Sequence, residues 1–398
     1  MNLLFYRYGS ICEPDFIEGF KELGNTVDEL TYEIEDKNIP AAKRVELVSA
    51  ALNKKSYDFV FSINYYPFLS EVCNIYKIRY ICQTVDSPVI ELFSSTVKNE
   101  WNRIFLFDLS QYKEFHPLNP DCIFHLPLAT NPKRWAKVIN SATPRQKQKF
   151  TSDISFVGSL YTEKCPYDRL NPSPYLNGYL MGLMKAQQKI YGYHFIEEII
   201  SDEAVKEFVK NMPDFYTPPE SYTLEDKKTV VRLYIDYKIT SMERTDLLTA
   251  LGNKFKVDFY TGSITDGIPV NNKGRVKTLT EMPLVFHNSK INLNFTAKSI
   301  REGLPLRIFD VLGCGGFLIT NYQTELPDIF SIGEDLEAYT SEEDLLYKTE
   351  YYLTHENDRL EIANNGYKKL VKYHNYPERI MQMLEMAFLG KKKEAKND

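Results

Sequence analysis

The sequence predicts a two-domain α/β fold, and three observations carry that prediction. The chain has 398 residues, more than one ordinary hydrophobic core accommodates. In both halves short apolar runs alternate with amphipathic stretches, the pattern of strands and helices in a parallel-sheet layer. Between the halves lies "TNPKRWAKVINSATPRQKQKFTSD", polar, basic and punctuated by proline, which predicts a linker over 131–150.

In the first domain, 1–130, "NLLFYRY" has the composition of an opening strand. "PDFIEGFKELG" carries its apolar residues at helical spacing and stops at Gly24. "TVDELTYEI", "YDFVFSIN", "IRYICQTV", "RIFLFDL" and "CIFHLPLA" continue the strand series. In the second domain, 151–375, "ISFVGSL" opens a new series that "KVDFYTG", "INLNF", "GGFLITN" and "LEAYT" extend. A helical insert interrupts it over about 165–250, from "YLNGYLMGLMKAQQKI" to "TSMERTDLLTALG", with a proline-rich break at "MPDFYTPPESY". The chain closes with "SEEDLLYKTEYYL", "ENDRLEIANNGYKKLVKYH" and "PERIMQMLEMAFLG". The segment 376–398 is expected to be a helix, packed back on the first domain, and a tail. Two such domains leave a cleft where strand C-termini and helix N-termini face a ligand.

Composition excludes several function classes. At 43% hydrophobic and 26% charged the chain is globular rather than disordered. A net charge of −6 without a basic stripe argues against nucleic acid as a partner. The tail "GKKKEAKND" suits at most a peripheral contact with an anionic membrane. No window approaches about 18 consecutive apolar residues, and "MNLLFYRYGS" lacks the parts of a signal peptide, so a cytoplasmic protein is expected. Six scattered cysteines without a C-x-x-C pair indicate reduced thiols, not a disulfide frame or zinc site. The six histidines show no H-E-x-x-H spacing and the acids no Asp-x-Asp triplet, so no metal site is expected.

The densest stretch is "KSIREGLPLRIFDVLGCGGFLITNYQTELPDIF", 298–330. Gly303 loosens a loop, Pro305 suits the first helical position, and a helix is predicted from about Leu306 to Gly313. Ile308, Val311 and Leu312 face its core side, and Gly315-Gly316 releases the chain into the next strand. Arg307 and Asp310 lie three apart on one side of that helix. They form a local ion pair, or the helix start with Lys298, Arg301 and Arg307 receives a diphosphate while a carboxylate takes the ribose hydroxyls. Gly158-Ser159, after "ISFV", is either a plain turn or a close approach to phosphate through free amides. In domain one, Tyr8, Gly9 and Ser10 end the first strand at a loop facing the cleft. Asp86 in "QTVDSPV" either orients an acceptor hydroxyl or caps the following helix. His125 has the setting of a core histidine and His287 that of a solvated helix position.

"DISFVGSLYTEK", "EMPLVFHNSKINLNFT", the 298–330 stretch and "LEIANNGYKKLVKYH" occur in the order found in the group 1 glycosyl transferase domain. "FSINYYP", "CQTVDSPV" and "RIFLFDLSQYKEFHPLNPDCIFHLPLATNP" look like the N-terminal domain often joined to it. Outside the insert the chain thus resembles the CgeB-like (spore maturation protein) branch of the GT-B glycosyltransferases. The resemblance implies a GT-B fold, two Rossmann-like domains facing across a cleft with a helical insert in the second. It implies a bacterial, cytoplasmic transferase that moves a hexosyl or N-acetylhexosaminyl group from a nucleoside diphosphate donor, a UDP-sugar, to an acceptor hydroxyl. The acceptor is a protein, a glycan or a lipid-linked saccharide, and no metal or other cofactor is expected. Related retaining enzymes place two glutamates eight positions apart; Glu302 and Asp310 stand there, the second shortened, which implies retention. By the same resemblance Glu302 lies near the donor sugar and Asp310 on the ribose, and Lys298, Arg301 and Arg307 offset the leaving diphosphate. Gly9, Ser10, Gly158, Ser159, Gly303, Leu304 and Pro305 then contact the nucleotide sugar, and Asp86 serves the acceptor. A sugar-nucleotide epimerase and a non-catalytic component of a surface or spore-coat glycosylation system are the alternatives on the same fold.

Overall fold

The computed structural model describes residues 1–163 and 165–389. It divides into two units. Unit 1 holds Met1–Thr130, Pro219–Thr223 and the chain from Tyr373 on, and unit 2 holds Asn131–Pro218 and Leu224–Lys372. The "GKKKEAKND" tail and its expected membrane contact lie outside the described residues.

In unit 1, β1 (Asn2–Tyr6), β2 (Thr26–Leu30), β3 (Phe59–Ile63), β4 (Arg79–Gln83), β5 (Asn102–Leu106) and β6 (Ile123–His125) form a parallel sheet in the order β2-β1-β3-β4-β5-β6. All of β3 is buried, as expected of a central strand covered on both faces. The strand order reverses between β1 and β3, so the C-terminal ends of these two strands flank a switch point. Helix Glu13–Glu22 covers one face by placing Phe16 and Phe20, one turn apart, against Phe61. Helix Tyr376–Leu389 packs on that helix. The Tyr376 ring lies 4.9 Å from Phe16, and Arg379 donates to the Leu128 carbonyl at 3.2 Å.

In unit 2, β7 (Ser152–Val157), β8 (Val257–Tyr260), β9 (Asn271–Asn272), β10 (Ser289–Asn294), β11 (Leu318–Asn321) and β12 (Glu337–Tyr339) form a second parallel sheet in the order β12-β11-β10-β7-β8-β9. Its switch point lies between β7 and β10. Two exposed asparagines form β9, and nothing in their pattern marks a strand. The insert between β7 and β8 contains helices Pro174–Gln187 and Asp202–Asn211 and a π-helical stretch, Val230–Ile235, that runs into helix Asp236–Lys254. It has its own core, including Leu180, Phe208, Val231 and Ile235, separate from the sheet core of Phe156, Phe259, Leu293 and Phe317. Among the described residues no helix is long and apolar enough to cross a membrane. The six cysteines are buried, and none is in a disulfide.

Residues 131–150 are not a linker but two helices, Pro132–Ser141 and Pro144–Lys149, both within unit 2. Each proline stands at a helix start, where a missing N–H costs nothing. Asn131 caps the first helix by accepting from the Arg134 amide at 3.1 Å, and Thr143 with Gln146 forms a capping box on the second. Trp135 and Ile139, one turn apart, are buried and fix the first helix in place.

The 298–330 stretch does form a helix over Leu306–Gly313, with Ile308, Val311 and Leu312 fully buried. Pro305 precedes the first turn with extended backbone instead of occupying it. At Gly315 the chain turns with φ +71°, a left-handed conformation that suits glycine. Gly316 is needed for space. A Cβ there would lie 2.6 Å from the Phe286 carbonyl oxygen and 2.7 Å from Asn292 Nδ2, the two atoms of a buried 3.0 Å hydrogen bond. Gly316→Ala is expected to lower stability in urea unfolding by roughly 1–3 kcal/mol through overpacking. Gly24→Ala, at φ +76° in open space, tests backbone strain alone and should cost about 1 kcal/mol. Equal losses at the two positions would contradict the packing argument.

Candidate functional site

A cavity of about 510 Å³ opens in unit 2 at the C-terminal ends of β7 and β8. Gly158, Ser159 and Tyr161 line it from the loop after β7, Thr261 and Gly262 from the loop after β8, and Tyr237 from the long helix. Arg275 and Val276, from the loop after β9, line it as well, and so does the carboxylate Glu163. Gly262 leaves room for Arg275, whose Nε would lie 2.0 Å from a Cβ at that position.

In the loop after β7 three main-chain amides are already engaged within the protein. The Gly158 amide donates to the Tyr260 carbonyl at 3.2 Å and the Leu160 amide to Ser263 Oγ at 2.9 Å. The Tyr161 amide donates to Ser159 Oγ at 2.9 Å. These internal bonds hold Tyr161 in the left-handed region at φ +64°, an uncommon conformation for a non-glycine residue. Its ring thereby stands against Tyr237, with centroids 5.4 Å apart, on the cavity wall.

Behind that wall lies Arg244, on helix Asp236–Lys254. Its guanidinium donates to the Ser159 carbonyl and to the Phe295 carbonyl, each at 2.6 Å, and so ties the chain after β7 to the chain after β10 across the switch point. It also stacks under the Tyr161 ring at 4.8 Å. Burial lowers the Arg244 pKa. The neighbouring carboxylate Glu243 is already engaged by Lys298 Nζ at 3.0 Å. Among the described residues Arg244 is in no ion pair.

The three cations of the 298–330 stretch do not act alike. Lys298 is buried, with its ammonium on Glu243 and 4.5 Å above the Tyr191 ring. Arg301 forms an ion pair with Asp236 at 2.9 Å and lies 3.6 Å from Glu197. Their charges are matched inside the protein, so a leaving diphosphate would have to compete with carboxylates already in contact. Arg307 differs. It packs over Phe286, with its guanidinium 5.1 Å from the ring centroid, and approaches Met282 Sδ at 2.6 Å. Burial lowers its pKa, the Asp310 carboxylate opposes that shift, and the nearby charge of Arg244 adds to it. The buried Arg244 and half-buried Arg307 guanidinium groups thus lie close enough to repel, and among the described residues neither is in an ion pair.

Asp310 is buried on the same short helix. Glu302 is half-buried, and its main-chain carbonyl accepts from the Glu325 amide. The loop before the helix is pinned by Gln323, whose side-chain amide donates to the Ile300 and Gly303 carbonyls at 3.2 and 3.1 Å. Leu304 is buried. His287 is not simply solvated, since its Nδ1 lies 2.9 Å from the Cys314 carbonyl and braces the end of the helix. His125 stays in the unit 1 sheet, 5.9 Å from the Tyr112 ring.

In unit 1 the loop after β1 folds around Glu13, a fully buried carboxylate at the start of helix Glu13–Glu22. It accepts from the Tyr8 and Gly9 amides at 2.8 and 2.9 Å and from Arg7 at 2.9 Å. Gly9, at φ +94°, therefore has its amide committed within the protein, and the Ser10 carbonyl accepts from the Glu13 amide. At the same strand ends Asn64, left-handed at φ 57°, joins three loops. Its side chain accepts from the Val85 amide at 2.9 Å, donates to Asp86 at 2.7 Å and donates to the Tyr8 hydroxyl at 3.2 Å. Asp86 is exposed, and the 3-10 turn that follows is capped at Val89, not by Asp86. Burial, reinforced by the Asp86 charge, pushes the Tyr8 hydroxyl up to about 12, so it stays a neutral donor. Tyr8 and Asp86 therefore stand side by side as donor and acceptor at the unit 1 switch point.

Residues 241–385 match the family model described as "Glycosyl transferase-like". Among solved structures, the chain resembles Anabaena Alr3699/HepE, crystallised with UDP-glucose, at a TM-score of 0.53 and 10% identity over 97% of this chain and 99% of that one. A glycosyltransferase from Rickettsia africae ESF-5 follows at 0.51 and 11% over 98% and 99%. A UDP-forming trehalose-phosphate synthase from Burkholderia xenovorans gives 0.51 and 11% over 97% and 98%. No curated protein matches in sequence. The chain has the GT-B fold.

Sequence reasoning did not single out several residues of this GT-B chain that the structure gathers around the cavity: Arg244, Tyr161, Tyr237, Arg275 and the Thr261–Ser263 turn. Arg244 sits in "SMERTDLL", a stretch that reads as an ordinary amphipathic helix, and only the fold reveals what its side chain reaches. A buried group in the helical insert also sets a pH response. His194 contacts Asp236 at 2.8 Å, and burial lowers its pKa against the pull of that carboxylate. The unfolded chain, with a histidine pKa of about 6.5, then binds the proton more readily than the folded one. Stability is retained above that pH and lost as pH falls below it. Melting temperatures followed from pH 7.5 down should decline less steeply in His194→Gln than in the wild type. An identical pH slope would show that His194 does not carry the effect.

Proposed function

We propose that the chain is a glycosyltransferase that moves a sugar from a nucleoside diphosphate donor, of the UDP-sugar class, to an acceptor hydroxyl. The observation that carries this reading is the unit 2 cavity at the strand C-terminal ends, with the uncompensated guanidinium of Arg244 behind its wall. Such a place attracts an anion, because a buried cation without a carboxylate partner gains most from one. The glycosyl transferase-like match over 241–385 covers both Arg244 and Arg307, and the UDP-glucose bound by Alr3699/HepE supports the donor class. In this reading the base lies among Tyr161, Tyr237, Gly262 and Arg275. Asp310 takes the ribose, and Glu302 stands by the donor sugar.

Charge grows on the diphosphate as the sugar bond breaks. Arg307, one of the three cations that the sequence suggested, meets that charge together with Arg244, while Lys298 and Arg301 stay on their carboxylates. A group that stabilises the growing charge lowers the barrier more than it tightens ground-state binding. The same two cations let the reaction proceed without a metal, and the Glu302/Asp310 spacing favours retention. The acceptor, a hydroxyl of a protein, glycan or lipid-linked saccharide, is oriented on unit 1 by Asp86 and Tyr8. The transferred group is of the hexosyl or N-acetylhexosaminyl type. Within the bacterial CgeB-like branch the protein would work in the cytoplasm.

Release of UDP from UDP-sugars tests the reading. Arg307→Ala should lower kcat/KM by roughly 10²–10³-fold, mainly in kcat, and wild-type turnover should persist in EDTA. Unchanged kcat in Arg307→Ala, or activity abolished by EDTA and restored by Mg²⁺, would overturn the assignment of charge neutralisation to these arginines.

A further inference from the structure

One face of helix Asp236–Lys254 makes four polar contacts to the chain that leaves β10, besides those of Asn321 and Gln323. Asp236, Thr240, Glu243 and Arg244 stand at positions i, i+4, i+7 and i+8, a single helical stripe, and all four are buried. Arg244 takes the Phe295 carbonyl at 2.6 Å, and the Thr240 hydroxyl takes the Lys298 amide at 2.9 Å. Glu243 takes the Lys298 ammonium at 3.0 Å, and Asp236 takes Arg301 at 2.9 Å. The stripe therefore holds the segment from 295 to 301 at three points, Phe295, Lys298 and Arg301, through main chain and side chain together.

The insert supports that stripe. Asp236 begins where the π-helical stretch Val230–Ile235 ends, a wider turn of the kind common beside functional sites. Its carboxylate is fully buried and receives His194 as well as Arg301. Glu197 lies within 3.6 Å of Arg301 while Arg232 holds it from the other side with two bonds of 2.9 Å. Burial opposes ionisation of Glu197, but Arg232 and Arg301 outweigh it and keep its carboxyl below the usual range. The two acids of the stripe, Asp236 and Glu243, are thus each committed to a cation of the loop.

We infer that the helical insert is a brace that fixes the loop from Phe295 to Gly303, so that Glu302 is presented to the donor sugar in one geometry. Asp236, Thr240 and Glu243 are then positioning residues, acting through Lys298 and Arg301, which are anchors and not diphosphate ligands. The inference rests on the donor reading above for its consequence, but the brace itself is a statement about the loop. Removing a hydrogen bond that holds a loop raises local opening by the energy of that bond. A rigid loop also serves a reacting geometry more than it serves nucleotide binding.

The experiment compares wild type, Thr240→Val, Thr240→Ser and Asp236→Asn by amide hydrogen exchange, UDP binding and UDP release from UDP-glucose. In Thr240→Val, close to isosteric and leaving every ion pair in place, loop amides from 296 to 304 should exchange roughly tenfold faster. UDP affinity should stay within about twofold, and kcat should fall roughly tenfold or more. Thr240→Ser should restore both exchange and kcat. Asp236→Asn should show the larger loosening, and if it fails to fold, the Thr240 pair still decides. Loop exchange that is unchanged in Thr240→Val overturns the brace, as does a loss of UDP affinity that tracks melting temperature. A wild-type chain that neither binds UDP nor releases it from UDP-glucose overturns the donor reading alone.

Discussion

The hold of Arg244 on two carbonyls, those of Ser159 and Phe295, is the interaction on which the rest of the unit 2 site depends. Parallel sheets leave their strand C-terminal ends apart at a switch point, and something must fix the two diverging loops. Here a guanidinium does so, with its planar fork on both carbonyls and its face under Tyr161. A cation used this way has no carboxylate of its own. Its charge is met only by carbonyl dipoles and the Tyr161 ring face. Structure and electrostatics are therefore set by the same side chain.

That arrangement explains how the neighbouring charges sort. Helix Asp236–Lys254 brings Asp236 and Glu243 to the loop after β10, and each takes one cation of the 298–330 stretch. Arg307 lies one short helix further on, against Phe286 and Met282, out of reach of both acids. Burying a charge is tolerable only with a partner or an accepted cost. Lys298 and Arg301 have partners, while Arg244 and Arg307 have the cost and the proposed ligand. Unit 1 is built to a related rule. Glu13 fills the anion position at the first helix start with a side chain of the protein itself, so what remains at that switch point is Asn64, Tyr8 and Asp86.

The alternation of strands and helices was legible because it is local. Phe59–Ile63 is apolar throughout since both faces are covered, and Ile308, Val311 and Leu312 mark a helix stripe whatever lies around it. The prolines at 132 and 144 misled because proline signals a break and a helix start with the same residue, and only the caps at Asn131 and Thr143 separate the two. The site was less legible. Whether a lysine is free or paired depends on a partner brought from elsewhere in the chain. Glu243 precedes Lys298 by 55 positions, and no spacing within "KSIREGLPLR" encodes it. Tyr161 and Arg275 reach the cavity through loop conformations that the sequence states only weakly.

The most direct measurement is a structure of the chain crystallised with UDP. The account predicts the nucleotide at the C-terminal ends of β7 and β8, its diphosphate turned toward Arg244 and Arg307, with Lys298 still on Glu243 and Arg301 still on Asp236. A nucleotide bound in unit 1, or a diphosphate held by Lys298 and Arg301 after they have left their carboxylates, would contradict it.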